Sequence, residues 1–142
     1  MDRLRVRRAR RNDLDRVRAL LGDAAASPVR AERKRWRRLV STLREDLYLA
    51  ERETDEALVG LAVIVYARGL GPPAAIVRRL HGESDAADVL LECARARARA
   101  RGCARLEVQL DPASPPETAT ADGLRARGWS EGPRTLVWEG ER

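Results

Sequence analysis

Apolar and polar positions alternate at the start of the chain, where Leu4 and Val6 stand between Arg3, Arg5 and Arg7; this predicts a short strand with one buried face. The period then lengthens. Leu14, Val17, Leu20 and Leu21 recur at helical spacing behind Asn12, a favoured N-cap with Asp15 three residues on, and Gly22 is placed to end the helix in a left-handed conformation. Ser27 and Pro28 announce a second helix, whose apolar stripe is Trp36, Leu39, Val40 and Leu43 and whose other faces are basic. Alternation returns from Leu47 to Arg52, Glu53 to Glu56 supply a turn, and the apolar run from Ala57 to Ala67 predicts a central strand buried on both faces.

The glycines and paired prolines between Arg68 and Pro73 predict a loop, and Ala74 to Leu80 a fourth strand. Ser84 or Asp85 is placed to cap the next helix, in which Val89, Leu90, Cys93 and Ala94 keep helical spacing until Gly102. From Ala104 to Leu110 the chain alternates again, with Leu106, Val108 and Leu110 on one face and Arg105, Glu107 and Gln109 on the other. A proline-bearing loop from Asp111 to Pro116, a short helix centred on Leu124 and ended by Gly128, and a last strand from Thr135 to Glu139 complete the pattern. The order β-α-α-β-β-β-α-β-α-β, without repeat or linker, predicts one α/β domain over residues 1–142. Its sheet is mixed and mostly antiparallel, with helices on both faces and one parallel β-α-β crossover over residues 74–110.

Composition narrows the function classes. No apolar stretch approaches the roughly 20 residues needed to span a bilayer, and the arginine-rich N-terminus has neither the apolar centre nor the cleavage site of a secretory signal, so a cytoplasmic protein is expected. Cys93, Cys103 and His81 match no zinc spacing; free thiols and no metal are expected. Residues 1–44 carry 15 basic and 5 acidic side chains, while the remainder is acidic on balance. Only Lys34 of the 28 basic residues is lysine, aromatic residues make up 4%, and no nucleic-acid reading motif is present, so specific nucleic-acid binding is not expected.

Three strings carry a family resemblance when taken in order. Leu47-Tyr-Leu-Ala-Glu-Arg52 followed by Leu58-Val-Gly-Leu-Ala62, then Val89-Leu-Leu-Glu92 through Ala100-Arg-Gly-Cys103 to Leu106-Glu-Val108, then Leu124-Arg-Ala-Arg-Gly-Trp129 resemble successive elements of the GCN5-related N-acetyltransferases. The resemblance covers nearly the whole chain. It implies an acyl-CoA-dependent N-acetyltransferase that uses acetyl-CoA and acts on a small-molecule amine or on a protein N-terminus or lysine.

It also implies where the site lies. In that family a loop of pattern Gln/Arg-x-x-Gly-x-Gly/Ala, between the fourth strand and the central helix, wraps the pyrophosphate of CoA in backbone N–H groups, as helix N-termini do for anions generally. Here the pattern falls on residues 82–87, where only Ala87 agrees, and the expected backbone contacts are Leu80, Ser84, Asp85, Ala86 and Ala87. Glu83, Asp85 and Asp88 put carboxylates beside the place of the dianion, each pair repelling by about 3 kcal/mol at ~6 Å and an effective dielectric of ~20, before screening. The tyrosine with which the family protonates the leaving thiolate corresponds to Leu124. His81 and Glu107 are the candidates for an acceptor-side base, since Arg78 and Arg79 occupy the fourth strand. The alternative to the first function is a catalytically inactive interaction or regulatory protein, as a monomer or a homodimer, that has lost acetyl-CoA binding and works through its arginine-rich second helix or the emptied cleft.

Overall fold

The structure is a computed structural model that describes residues 2–22, 28–110 and 121–132. Its elements are β1 (Leu4–Arg8), a 3-10 turn (Arg11–Asp13), α1 (Leu14–Leu20), α2 (Arg30–Ser41), β2 (Glu45–Arg52) and β3 (Leu58–Ala67), followed by β4 (Ala74–Gly82), α3 (Ser84–Ala100), β5 (Arg105–Val108) and α4 (Ala121–Ala126). The strands lie in the sheet in the order of the sequence, β1-β2-β3-β4-β5. The first three neighbouring pairs are antiparallel, and β4 and β5 run parallel, with α3 as their crossover.

Period-two alternation divides the sheet between two cores. Tyr48, Ala50, Ala62, Ile64, Ala75 and Val77 face α3 and pack on Ala86, Leu90, Leu91, Ala94 and Ala98, with Leu124 of α4 joining them. Leu47, Leu49 and Leu61 face the other way, onto Leu14 and Val17 of α1 and Trp36 of α2. Each fully buried leucine contributes about 1.5–3 kcal/mol, so the two aliphatic faces hold helices on both sides of the sheet. The approach of α3 is set by two glycines paired across β3 and β4, Gly60 and Gly82. A Cβ on Gly60 would stand 3.0 Å from the Ala86 side chain, and one on Gly82 would stand 2.8 Å from the Val59 carbonyl. Gly82 also has φ +138°, a conformation closed to side chains. We expect Gly82→Ala to lower stability by about 2–4 kcal/mol through strain and overpacking, read from urea unfolding midpoints. A variant as stable as the parent would mean that α3 does not sit this close.

Three buried carboxylates, Asp13, Asp46 and Glu51, tie the elements together. Asp46 lies at the start of β2, accepts hydrogen bonds from Arg8 and from the Tyr66 hydroxyl, and has Arg97 of α3 at 3.5 Å. Burial, and then the Asp46 carboxylate, push the Tyr66 hydroxyl well above its ordinary range. On the opposite face, Arg7 donates two 2.8 Å hydrogen bonds to Asp13 and another through Nε to Glu51. The hydrogen bonds from Arg7, opposed by burial, hold the Asp13 carboxyl below its usual range. For Glu51 burial is the largest influence and raises it, yet Arg7 and Arg5 together outweigh burial and leave it lowered.

Several boundaries differ from the pattern-based expectation. Asp13, not Asn12, stands at the N-terminus of α1, because its carboxylate is claimed by Arg7 and by the Arg10 N–H at 2.7 Å; Gly22 does close that helix, at φ +84°. α2 begins at Arg30 with Val29 as its cap residue, so Pro28 precedes the first turn, while Ser27 lies outside the described residues. α2 ends at Ser41, which leaves Leu43 78% exposed, outside the apolar stripe. β4 continues beyond Leu80 to Gly82 because His81 and Gly82 find partners in Leu61 and Gly60. β5 is confined to Arg105–Val108, shorter than the alternation from Ala104 to Leu110. The expected loop from Asp111 to Pro116 and the last strand from Thr135 to Glu139 lie outside the described residues.

Candidate functional site

The site is built from the way β4 outlasts β5. The last paired residues are Val77 and Val108, with one further hydrogen bond, 2.9 Å, from the Gln109 N–H to the Val77 carbonyl. Beyond that point β4 runs on from Arg78 to Gly82 with no described strand on that side. Its register against β3 shifts where Val63 pairs with Arg79 and Ile64 with Val77, so Arg78 is the extra residue of a bulge. Among the described residues a stretch of strand backbone is thus left as an open edge, and such an edge can hydrogen-bond an extended ligand. One residue, Glu83, separates this edge from the first turn of α3.

The expected binding residues come together at that junction, with corrected roles. Leu80 is buried on the α3 side, Ser84 and Asp85 are exposed, Ala86 is buried against the glycine pair, and Ala87 is buried in the α3 core. Glu83 occupies the N-cap position, so Ser84 and Asp85 are the first helical residues and neither is the cap. The Ala87 N–H donates to the Glu83 carbonyl at 2.8 Å, and the Ala86 N–H donates to the Asp85 carboxylate at 2.9 Å. The amides of Ser84 and Asp85 remain in the turn whose N–H groups have no partner within a helix.

Arg127, which sequence reasoning missed, meets the same turn. Its guanidinium donates to the Ser84 hydroxyl at 2.7 Å and pairs with Asp88 at 2.7 Å. It follows α4 and precedes Gly128, and only its local context, Arg125-Ala-Arg127, is visible in the sequence. The partners lie 43 residues away, a separation no local pattern encodes. Arg78 and Arg79 are exposed, and among the described residues no carboxylate pairs with either.

The two base candidates do not form a pair. His81 lies within β4, not in a turn, opposite Leu61 and therefore on the face covered by α1 and α2. Glu107 is opposite Ile76 and forms an ion pair with Arg105 at 2.9 Å. Both occupy the sheet face away from α3, but five strand positions separate Ile76 from His81, roughly 15 Å along β4. Leu124 is buried in the α3 core, so the position corresponding to the family's tyrosine offers no proton.

No protein-family model matches the chain, and no curated protein sequence matches it. Solved structures do. A transcriptional regulator from Bacillus halodurans C-125 aligns with a TM-score of 0.77 at 20% identity, over 97% of this chain and all of that one. Glucosamine-6-phosphate N-acetyltransferase from Arabidopsis thaliana aligns at 0.75 and 12% identity, over 99% of this chain and 100% of the other. AAC(6')-Iy in complex with the bisubstrate analog CoA-S-monomethyl-acetylneamine aligns at 0.74 and 13% identity, over 99% of each chain. The five-stranded mixed sheet of the described residues, flanked by helices and opening past the last β4–β5 pair, has the fold of the GCN5-related N-acetyltransferases.

Proposed function

We propose that this chain is an acyl-CoA-dependent N-acyltransferase acting on an amine. The observation that carries the reading is the open edge of β4 from Arg78 to Gly82, leading through one residue to the N-terminus of α3. That edge suits the amide-bearing arm of CoA, and the Ser84 and Asp85 amides suit part of its pyrophosphate. When bound, an acyl-CoA supplies a thioester carbonyl whose carbon bonds to the amine nitrogen as the carbon–sulfur bond breaks, the amine losing a proton and the thiolate gaining one. The chain's own contribution is chiefly positional. β4 amides orient the carbonyl, the close-packed glycine pair Gly60 and Gly82 fixes the helix end, and His81 is the nearest candidate to receive the amine proton from the face opposite α3. With Leu124 in place of the family's tyrosine, water or the amine is left as a proton source for the thiolate among the described residues.

The grip on the pyrophosphate is reduced relative to the family. Asp85 spends its carboxylate on the Ala86 N–H, Glu83 and Asp88 add negative charge, and Arg127 pairs with Asp88. This acidic turn favours a second reading, in which the protein is an inactive interaction or regulatory module. Calorimetry with acetyl-CoA separates the two. We expect weak binding that Asp85→Gly strengthens by roughly tenfold, by freeing an amide and removing a charge, and that Asp122→Ala, at an exposed residue paired with Arg125, leaves unchanged. Thiol release with a panel of amines should accompany binding. Absence of both binding and release for a range of acyl-CoAs would replace the enzyme reading with the interaction reading.

A further inference from the structure

A second concave surface lies on the opposite face of the sheet, between the Arg11–Asp13 turn and α2. It is a half-open hollow of about 450 Å³ lined by Arg11, Asn12, Asp15, Arg33, Trp36 and Arg37, together with Leu14. We propose that this hollow binds a small phosphate-bearing molecule. The inference is independent of the acyltransferase reading, since the hollow shares no residue with the β4–α3 junction.

Three observations carry it. The first is convergence: Arg33 and Arg37 are one turn apart on α2 and so project along one line, and Arg11 reaches the same hollow from a different segment. The second is that the convergence is fixed in place. The Trp36 indole, itself buried, donates from Nε1 to the carbonyls of Arg10 and Arg11 at 3.2 and 3.1 Å, pinning α2 to the segment that carries Arg11. The third is charge. Among the described residues none of the three guanidiniums is in an ion pair, and the single carboxylate of the lining, Asp15, leaves the hollow with a balance of two positive charges.

Like charges held one turn apart are mutually destabilising, and a compact dianion relieves that repulsion while accepting several guanidinium hydrogen bonds. Arginine forks match tetrahedral phosphate oxygens in bidentate fashion, and the Asn12 amide adds a neutral donor. Its volume is within the range of small-molecule sites, and its lining is too local to need a long polyanion.

The test is calorimetry at low ionic strength with pyrophosphate, inorganic phosphate and citrate, on the full chain and on two double variants that remove equal charge from the same helix. Arg33→Gln with Arg37→Gln alters the hollow; Arg30→Gln with Arg38→Gln alters α2 outside it. All four side chains are exposed, and Arg11→Gln tests the hollow from its other wall should either double variant fold poorly. We expect the first pair to weaken pyrophosphate binding about tenfold or more, Arg11→Gln to weaken it severalfold, and the second pair to change it less than about threefold. Arginine Nε–Hε signals of Arg11, Arg33 and Arg37 should shift on titration while the amides of Ser84 and Asp85 stay put. Equal losses in both double variants, citrate binding as tightly as pyrophosphate, movement confined to Ser84 and Asp85, or no binding by the unaltered chain would each overturn the proposal.

Discussion

Replacing Arg7 with methionine is expected to lower stability by about 3 kcal/mol at pH 7 and to make the protein gain stability in mild acid, where the parent's response through these carboxyls is flat. Methionine keeps the apolar stem but leaves Asp13 and Glu51, each about 3% exposed, without the guanidinium that binds both. Arg16 remains at 3.6 Å from Asp13 and Arg5 at 3.1 Å from Glu51, so the loss is partial. In the unaltered protein both carboxyls are held below their ordinary values, so their contribution is present above the unfolded carboxylate range of about 4 and disappears as pH falls through the lowered values. In the variant, burial prevails and the folded values rise above the unfolded ones. The penalty is then greatest at neutral pH and is relieved as pH falls through the raised values, so the variant gains stability between pH 7 and 5. Urea unfolding at the two pH values decides it. A variant that matches the parent at pH 7, or weakens on going to pH 5, would show that the trio is solvated.

Leu90→Ala should cost about 4 kcal/mol, in the upper part of the range for core leucines, because its surroundings cannot close the hole. Leu90 is fully buried and faces Gly60, whose backbone has no side chain to extend, and the helix neighbours at the same level are Ala86 and Ala94. Such a cavity keeps most of its volume, whereas Val89→Ala, at a half-buried position, should cost about 1 kcal/mol. Denaturant midpoints of the two variants test the difference, and equal costs would mean that the buried face of α3 is misassigned.

These residues also show how much of the molecule could be read from the chain. The buried positions of α3 follow from aliphatic spacing, since Leu90, Leu91 and Ala94 can satisfy only one face of a helix, and the strands follow from alternation at Leu47, Leu49, Leu106 and Val108. Local chemistry misled where tertiary partners overruled it. His81-Gly82 looks like a turn, yet Leu61 and Gly60 supply strand partners for both. Ser27-Pro28 looks like a helix start, yet α2 begins at Arg30. At the candidate site the shortness of the β4–α3 connection and its acidity were legible, because both are properties of consecutive residues. Arg127 at Ser84 and Trp36 over the Arg10 and Arg11 carbonyls were not, because they arise from the packing of separate elements.

The order of the strands in the sheet has a kinetic side. β2, β3 and β4 form a meander whose connections, Glu53–Ala57 and Arg68–Pro73, are short, so each pairing closes a small loop and loses little chain entropy. β1 must close a span that includes two helices before it meets β2, and β5 must wait for α3 to fold onto the face that Gly60 and Gly82 leave bare. The meander should therefore form the nucleus, with substitutions at Leu49 or Ile64 slowing folding and substitutions in β1 or β5 mainly hastening unfolding. On that ordering the side of β4 that pairs with β5 is the last part of the described sheet to acquire its neighbour, and the junction with α3 is completed only when the meander is already in place.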